Sequence, residues 1–320
     1  MIEIGDIEAA RARIAERVRR TPVLPLGQLK DPPPTPAKVT LKLECLQVTG
    51  SFKARGAMNR LLGAEGGAPV AGIVTASGGN HGLAVARTAF AAGVPAVIFV
   101  PESVSPEKVA KMRRWNADVQ IVGPVWDKAN EAALALSRRT GAVYFHPFAD
   151  PLVVAGQGTL GLEILDDLPD MDAILIAIGG GGLISGIATA IRARRPDVTI
   201  IGIEPEGSPT LRACLDAGEV VTLPAVTTKV PTMACARTDP RIYATVKDTV
   251  DEIVLVSDAA MQDAARWLWF ELGVAADLSG AASLAALRQG VPALAGARHV
   301  CALVCGAGPE GTTTAAAAAG

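Results

Sequence analysis

Short apolar runs alternate with alanine-rich helical stretches along most of the chain. AVIFV at 96–100 precedes SPEKVAKMRRW, DVQIVG at 118–123 precedes a helical stretch that ends near Gly141, and AILIAI at 173–178 precedes a helix predicted over 184–194. The strands read as continuous apolar runs, which is typical of parallel sheets covered on both faces. The pattern therefore predicts the α/β class, built from consecutive βαβ units.

Two loop signals interrupt this alternation and divide the chain. A proline-rich stretch occupies 31–36, and FHPFADP at 145–151 follows the helix that ends near Gly141. We expect the βα units between about 70 and 145 to form one sheet and the chain from 147 to 320 to build a second.

Composition narrows the classes of function. Half of the 320 residues are hydrophobic and 19% are charged, which excludes an intrinsically disordered chain. The net charge of −2 gives no sign of a nucleic-acid binder or a basic membrane anchor. The five cysteines are scattered and odd in number, so a reducing cytoplasm is expected rather than a disulfide framework. No signal peptide and no membrane-spanning run is found, and a small molecule is the expected partner.

A glycine-rich turn stands where a predicted strand meets a predicted helix. Four consecutive glycines at 179–182 let backbone N–H groups converge on an anion, and the helix N-terminus favours negative charge. This predicts a phosphate site, although a tight turn without a ligand is the alternative. The segment is not a Walker A loop, and the G-x-G-x-x-G spacing at 306–311 is a weak signal because Glu310 would repel a pyrophosphate.

Two further segments are candidates for chemistry. Lys53 lies among aromatic and small residues in TGSFKARGA, and a lysine in apolar surroundings has a lowered pKa and becomes a nucleophile or base. The turn ASGGNHG at 76–82 also follows a predicted strand and suits a carboxylate bound by backbone amides. Each alone has an ordinary explanation, since a surface lysine, a plain loop or a core histidine at His81 would give the same pattern.

Taken together, these segments resemble the fold type II family of pyridoxal-phosphate enzymes, and within it the serine/threonine dehydratases and serine racemases. The resemblance covers nearly the whole chain and rests on motifs in the family's order. They are LECLQVTGSFK at 43–53, SGGNH at 77–81, GQGT at 156–159 with GLE at 161–163, and GGGG at 179–182. It implies a two-domain, tryptophan synthase β-like fold in which each domain is an open, mostly parallel sheet flanked by helices. A large domain that binds pyridoxal phosphate would comprise 1–71 plus 147–320, and a small domain 72–146.

The resemblance also implies roles for individual residues. Lys53 would form the Schiff base with pyridoxal 5'-phosphate and later act as the base at Cα, with Phe52 beside the pyridine ring. Asn80 would contact the 3-hydroxyl group, and Cys305 stands where the family usually has a serine facing the pyridine nitrogen, a buried strand cysteine being the alternative. The phosphate is expected at Gly179, Gly180, Gly181, Gly182 and Leu183, and the substrate carboxylate at Ser77, Gly78, Gly79, Asn80 and His81.

Several departures from the family's pattern bear on the reaction. Racemases carry a second serine at the place of Gly78, so efficient racemisation is not expected here. The segment Ala-Cys-Ala at 234–236 replaces Ala-Asp-Gly, and Asp277 stands where a glutamate is usual. Glu204 and Ser208 match two members of the family's cation site, but Thr210 replaces the third, an aspartate, and no metal is predicted.

The implied function is an ammonia-lyase that dehydrates and deaminates L-threonine, L-serine or both to a 2-oxo acid and ammonia. The alternatives are a serine racemase, a 3-hydroxyaspartate dehydratase or another β-elimination or β-replacement enzyme that uses the same cofactor. A ligand-binding protein without activity is the more distant alternative, and it would be expected to have lost the lysine or the glycines. The family further implies a homodimer.

Overall fold

The computed structural model describes residues 2–64 and 69–312, and α-helices alternate with β-strands through most of this part of the chain. The α-helices are α1 (Ile4–Ile14), α2 (Lys53–Leu62), α3 (Asn80–Ala92), α4 (Pro106–Arg113), α5 (Trp126–Thr140), α6 (Pro151–Asp167), α7 (Gly182–Arg194), α8 (Thr210–Ala217), α9 (Pro240–Thr249), α10 (Asp258–Leu272) and α11 (Leu278–Gln289). The strands are β1 (Val23–Pro25), β2 (Lys38–Lys42), β3 (Ile73–Ala76), β4 (Ala96–Val100), β5 (Asp118–Ile121), β6 (Val143–Tyr144), β7 (Ala173–Ala177), β8 (Thr199–Pro205), β9 (Glu252–Val256) and β10 (His299–Leu303).

The strands form two sheets. The larger has the order β1-β2-β10-β7-β8-β9, in which β1 pairs antiparallel with β2 and the other pairs are parallel. The smaller has the order β5-β4-β3-β6 and is parallel throughout. The predicted α/β class with mostly parallel sheets is confirmed.

The topology gathers the candidate segments at the carboxyl ends of strands. The segment 43–53 follows β2, the turn 77–79 follows β3, the loop 145–150 follows β6, and the glycine turn 178–181 follows β7. In open α/β sheets, ligands bind outside the carboxyl ends of the strands. Both sheets therefore contribute to one candidate region.

Helix α2 packs on both lobes of the molecule. Its residues Ala57, Met58 and Leu61 join the apolar cluster that covers one face of the smaller sheet, together with α3 and α4. On its other side α2 approaches α6 so closely that a Cβ at Gly56 would lie 2.8 Å from the carbonyl oxygen of Val153. Because Lys53 is the first residue of α2, this packing determines where the lysine lies.

The core of the larger lobe is strongly apolar and tightly packed. All five residues of β7 are buried, and α6 is buried from Val153 to Ile164. Helix α7 begins at Gly182, two residues before the predicted start, because Gly181 takes a left-handed conformation (φ 89°) and turns the chain into the helix at once. Among the described residues, no helix is both long and apolar enough to cross a bilayer.

The contact between α6 and α7 depends on the absence of a side chain at Gly186. A Cβ atom there would lie 2.5 Å from the carbonyl oxygen of Val154 and 2.6 Å from the backbone nitrogen of Gly158. We expect Gly186→Ala to lower the free energy of unfolding by about 1–3 kcal/mol through overpacking. Urea denaturation followed by circular dichroism measures this loss.

Gly5→Ala is the matched control, because a Cβ at this helical position meets nothing within 4 Å. It should leave the protein unchanged or stabilise it by roughly 0.4–1 kcal/mol. Equal unfolding curves for the two variants would contradict the account of the helix contact.

Candidate active site

Lys53 is a partly buried amine whose nearest polar partner is a backbone carbonyl. Its Nζ donates to the carbonyl oxygen of Pro147 at 2.6 Å and lies 5.1 Å from the centroid of the Phe52 ring. Burial lowers the pKa of Lys53 to about 8. A neutral ε-amine, which is the nucleophilic and basic form, is therefore accessible close to neutral pH.

The backbone turn that precedes Lys53 is strained. Thr49 has φ 64°, an unusual conformation for a β-branched residue that costs about 1–3 kcal/mol, and Gly50 follows with φ 81°. Gly50 passes close to the loop after β10, since a Cβ there would lie 3.3 Å from the Cβ of Ala307. The N–H of Phe52 then donates to the carbonyl oxygen of Cys305 at 3.2 Å. These contacts hold the segment before Lys53 against the carboxyl end of β10.

A buried ionic cluster holds α2 from the opposite side. Arg55 donates to both carboxylate oxygens of Glu44, through Nε at 2.5 Å and Nη2 at 2.9 Å, and Nη2 also lies 3.0 Å from Glu163. Lys42 Nζ completes the cluster with Glu163 at 2.7 Å and Asp167 at 2.8 Å. Burial alone would lower the pKa of Arg55, but the two glutamates raise it above its ordinary value. Sequence reasoning missed this cluster, which joins β2, α2 and α6.

The four glycines form a cradle that has no room for side chains. A Cβ at Gly180 would lie 2.3 Å from the ring of Phe148, and one at Gly182 would lie 2.6 Å from the carbonyl oxygen of Phe148. No side chain in the described residues caps α7, so the N–H groups of its first turn are available to an anion. Leu183, in that first turn, is buried. This geometry suits a phosphate group.

The turn after β3 leads directly into α3. The N–H of Gly79 donates to Ser77 Oγ at 3.3 Å, and Asn80 is the first residue of the helix. Asn80 Nδ2 donates to Asp277 Oδ2 at 2.8 Å, which links a residue of the smaller lobe to one of the larger. Gly78 packs against Val104, whose Cγ2 would lie 2.8 Å from an added Cβ. An added Cβ at Gly79 or at Gly179 would meet Thr232, at 3.7 and 2.9 Å, so the turn lies beside the glycine cradle.

His81 points away from solvent. Its Nε2 lies 3.1 Å from the carbonyl oxygen of Phe145, so this nitrogen carries the ring hydrogen and Nδ1 is an acceptor. Burial, reinforced by the charge of Lys53, lowers the pKa of His81 to about 3 and keeps the ring neutral. What His81 offers to a ligand bound at the turn is its backbone N–H at the start of α3.

Asp277 and Cys305 lie together beneath the lysine segment. Asp277 begins α11 as its N-cap and accepts from the N–H of Gly280 at 2.6 Å and from Ser279 Oγ at 2.7 Å. Cys305 Sγ lies 3.9 Å from Ser279 Oγ. Burial raises the pKa of the Cys305 thiol, with the nearby Asp277 charge adding to the effect. The thiol is therefore neutral and keeps its proton.

The loop 145–150 is the part of the site that sequence reasoning treated only as an interruption. Pro147 accepts the hydrogen bond from Lys53, and Phe148 packs on Gly180 and Gly182. The available signal was the position of this loop after a strand of the smaller sheet, since that is where open sheets bind ligands. The loop brings the lysine and the glycine cradle into contact with one short stretch of chain.

The residues that resemble a cation site are engaged with the protein itself. Both carboxylate oxygens of Glu204 accept backbone N–H groups at the start of α8, at 2.8 and 2.9 Å. The hydroxyls of Ser208 and Thr210 both donate to the carbonyl oxygen of Cys235. Within residues 2–64 and 69–312, no group of three or more histidine, cysteine or acidic side chains is arranged to hold a metal ion.

These residues fit a ligand that carries both a phosphate and an aldehyde. The cradle provides N–H groups without side chains, and Lys53 provides an amine of lowered pKa. Around them, Thr49 Oγ1, Ser51 Oγ and His81 Nδ1 are buried without a hydrogen-bond partner in the part of the chain that the structure describes. Such orphaned groups are expected beside a site for a polar ligand.

The chain is similar to known proteins over most of its length. Residues 14–306 match the family described as pyridoxal-phosphate dependent enzyme. An L-threonine ammonia-lyase of Geobacter sulfurreducens is 40% identical over 287 residues, 90% of this chain and 71% of that protein. A phenylserine dehydratase of Ralstonia pickettii is 33% identical over 311 residues, 97% of this chain and 94% of that protein. The structure of maize serine racemase matches with a TM-score of 0.89 and 32% identity, covering 99% of this chain and 95% of that one.

The ionic cluster behind α2 leads to a stability prediction. Glu44→Gln leaves Arg55 buried without its bidentate partner, so we expect the free energy of unfolding to fall by about 3–5 kcal/mol. Asp197→Asn is the control, because Asp197 pairs with Arg195 on the surface and its loss should change little. Chemical denaturation at neutral pH compares the two, and equal losses would contradict the role of the cluster.

The same cluster predicts how stability depends on pH. Burial opposes ionisation of Glu163, but Arg55 and Lys42 outweigh it and hold its pKa below the ordinary value. The resulting stabilisation is fully present above the ordinary glutamate pKa of about 4.3, and it is lost as the pH falls through the lower pKa of the folded protein, where the carboxylate takes up a proton. A denaturation series from pH 7 to pH 3 follows this loss, and it should be smaller in Glu163→Gln, which has no carboxylate to protonate beside Arg55 and Lys42.

Proposed function

This chain belongs to the family of pyridoxal-phosphate-dependent enzymes, and from that premise we propose that it is an ammonia-lyase acting on L-threonine, L-serine or both. The reaction eliminates the β-hydroxyl group and releases a 2-oxo acid and ammonia. The observation that carries the proposal is the partly buried Lys53 beside a glycine cradle suited to phosphate. The similarity to an L-threonine ammonia-lyase and to a phenylserine dehydratase supports elimination from β-hydroxy amino acids.

The residues that would hold the cofactor come from both lobes. The backbone N–H groups at 179–183 would bind its phosphate, and Lys53 would bind its aldehyde carbon covalently. Phe52 would lie beside the ring, Asn80 would contact the 3-hydroxyl group, and Cys305 would face the ring nitrogen as a neutral thiol, because burial raises its pKa. When bound, pyridoxal phosphate supplies an electron sink that makes the Cα proton of an amino acid acidic.

Lys53 Nζ is the group that moves the Cα proton. A pKa of about 8 leaves part of the amine neutral and able to accept a proton near neutral pH. The carbonyl oxygen of Pro147, 2.6 Å away, orients the amine and stabilises it once it is charged. Among the described residues, no carboxylate forms an ion pair with Nζ, so the amine is not held in its charged form by a partner.

The substrate carboxylate is assigned to the turn 77–81. The N–H groups at the start of α3 point out of the helix, where the helix dipole favours an anion. We assign residues 72–146 to a small domain that carries this turn, and residues 1–71 plus 147–320 to a large domain that carries the lysine and the cradle. Asn80 and Asp277 then connect the two domains across the site. The family resemblance supports a cytoplasmic homodimer as the working form.

A substrate panel tests the proposal. The protein loaded with pyridoxal phosphate is given L-threonine, L-serine, threo-3-hydroxyaspartate and phenylserine separately, and release of the 2-oxo acid and of ammonia is followed. We expect equal amounts of both products, with one β-hydroxy amino acid clearly preferred. Lys53→Ala should lose about 10³-fold or more in rate, because it removes the only base assigned to Cα.

The control for Lys53→Ala is Lys30→Ala, which removes an amine that lies over the Phe270 ring, away from the assigned site. It should keep the activity of the unmodified protein. Normal turnover by Lys53→Ala, or no 2-oxo acid from any member of the panel, would refute the proposed lyase.

Serine racemisation is the second candidate, and the match to maize serine racemase favours it. Against it stands Gly78, which leaves the face opposite Lys53 without a hydroxyl, and the 2.8 Å approach of Val104 Cγ2 to an added Cβ. We expect little D-serine from the unmodified protein. Gly78→Ser should raise D-serine formation only when combined with Val104→Ala, which makes room for the hydroxyl.

Chiral chromatography of the products of L-serine measures this, with Val104→Ala alone as the control. D-serine formed by the unmodified protein as fast as pyruvate would establish racemisation as an activity of this chain. An unchanged D-serine yield in the double variant would contradict the assignment of the second face.

A further inference from the structure

His146 organises the turn that it begins. Its Nδ1 accepts the backbone N–H of Phe148 at 3.2 Å and that of Ala149 at 2.9 Å. Since both partners are donors, Nδ1 is the unprotonated nitrogen and the ring hydrogen is carried by Nε2. The imidazole therefore accepts backbone N–H groups of this turn, as an asparagine or serine side chain does when it caps a turn or a helix.

The turn contacts both Lys53 and the glycine cradle. The carbonyl oxygen of Pro147 receives the hydrogen bond from Lys53 Nζ at 2.6 Å. One residue later, Phe148 presses its ring against Gly180 and its carbonyl oxygen against Gly182. A rotation of the peptide between these two residues would disturb the lysine and the cradle together.

The His146 ring is held in one orientation. It meets Tyr144 edge to face, with centroids 6.1 Å apart, and Phe148 in the same way at 4.6 Å. Tyr144 is itself fixed, because its hydroxyl donates to Asn130 Oδ1 at 2.5 Å. The ring thus has little freedom to release the two N–H groups that it accepts.

Burial is the main reason that His146 stays neutral. Burial, together with the charges of Lys53 and Arg241, lowers its pKa to about 4, although Asp150 and Asp239 act in the opposite direction. Nδ1 consequently remains an acceptor at the pH values at which the neutral amine of Lys53 is needed.

We propose that His146 is a positioning residue that fixes the Pro147 carbonyl against Lys53 and the Phe148 ring against the glycine cradle. The role rests on the proposed cofactor site, and His146 acts through its own turn rather than on the reacting atoms. Its essential property is a single acceptor atom at Nδ1. A side chain with an acceptor at that place should replace it, whereas one of similar volume without an acceptor should not.

Two substitutions separate these properties. His146→Asn keeps an acceptor near the place of Nδ1, and His146→Leu keeps volume but has no acceptor. The readout is the dissociation constant of pyridoxal phosphate from the cofactor-free protein, followed by visible absorbance. We expect His146→Leu to bind the cofactor about 10-fold or more weakly, in line with the loss of buried hydrogen bonds, and His146→Asn to recover most of that loss.

Ser137→Ala is the matched control, because Ser137 Oγ also bonds to the backbone of a turn, at the carbonyl oxygen of Ala142, but outside the site. It should bind the cofactor like the unmodified protein. Thermal unfolding of each cofactor-free variant identifies any that fail to fold. If His146→Leu is one of them, His146→Ser and His146→Ala pose the same question with smaller side chains, since only serine can accept.

Cofactor affinity is measured without turnover, so its outcome is independent of which amino acid the enzyme uses. Unchanged affinity in the variants without an acceptor would overturn the positioning role. So would His146→Asn binding no better than His146→Leu, because a purely structural ring would not be rescued by an acceptor. A further outcome is that the His146 variants change cofactor affinity as predicted while the unmodified protein eliminates none of the panel substrates. That result would refute the proposed lyase and leave the role of His146 intact.

Discussion

The bidentate ion pair between Arg55 and Glu44 is the interaction on which the position of the candidate lysine depends. Both side chains are buried. Removing two charges from water costs free energy, and their attraction offsets this cost only when the geometry of the pair is nearly ideal and the remaining polar atoms form hydrogen bonds. Glu163 and Lys42 meet that condition here. Because Arg55 lies two residues after Lys53 in the same helix, any shift of α2 along its axis would break the pair. The buried ion pair therefore fixes α2, and with it the amine of Lys53, in one position.

Helices α2, α6 and α7 pack closely through glycines, so the position of α2 also fixes the positions of α6 and α7. Helix α2 meets α6 at Gly56 and Gly156, and α6 meets α7 at Gly158 and Gly186, so the three helices behave as one tightly packed unit. The first turn of α7 forms part of the glycine cradle, and α6 starts at the end of the loop 145–150. Backbone contacts at these glycines therefore help to fix the distance from the lysine to the cradle.

Much of this arrangement could be predicted from the sequence, because it depends on local patterns. The alternation of strands and helices, the glycine turn after β7 and the apolar setting of Lys53 each follow from residues that are neighbours in the chain. The contacts missed are those between residues distant in sequence, such as Arg55 with Glu163 and Lys53 with Pro147. The burial of the His81 ring agrees with the alternative of a core histidine, but its partner could not be predicted, because nothing local indicates that the Phe145 carbonyl would meet the ring.

On the proposed function, Lys53 and no other amine bonds to the cofactor, at the position that Pro147 and the glycine cradle define. Reduction of the protein loaded with pyridoxal phosphate by borohydride, followed by proteolysis and mass spectrometry, locates that bond directly. The account predicts a single pyridoxyl group on the peptide that contains Lys53. A pyridoxyl group mainly on another lysine, such as Lys42, or no lysine modified at all, would contradict it.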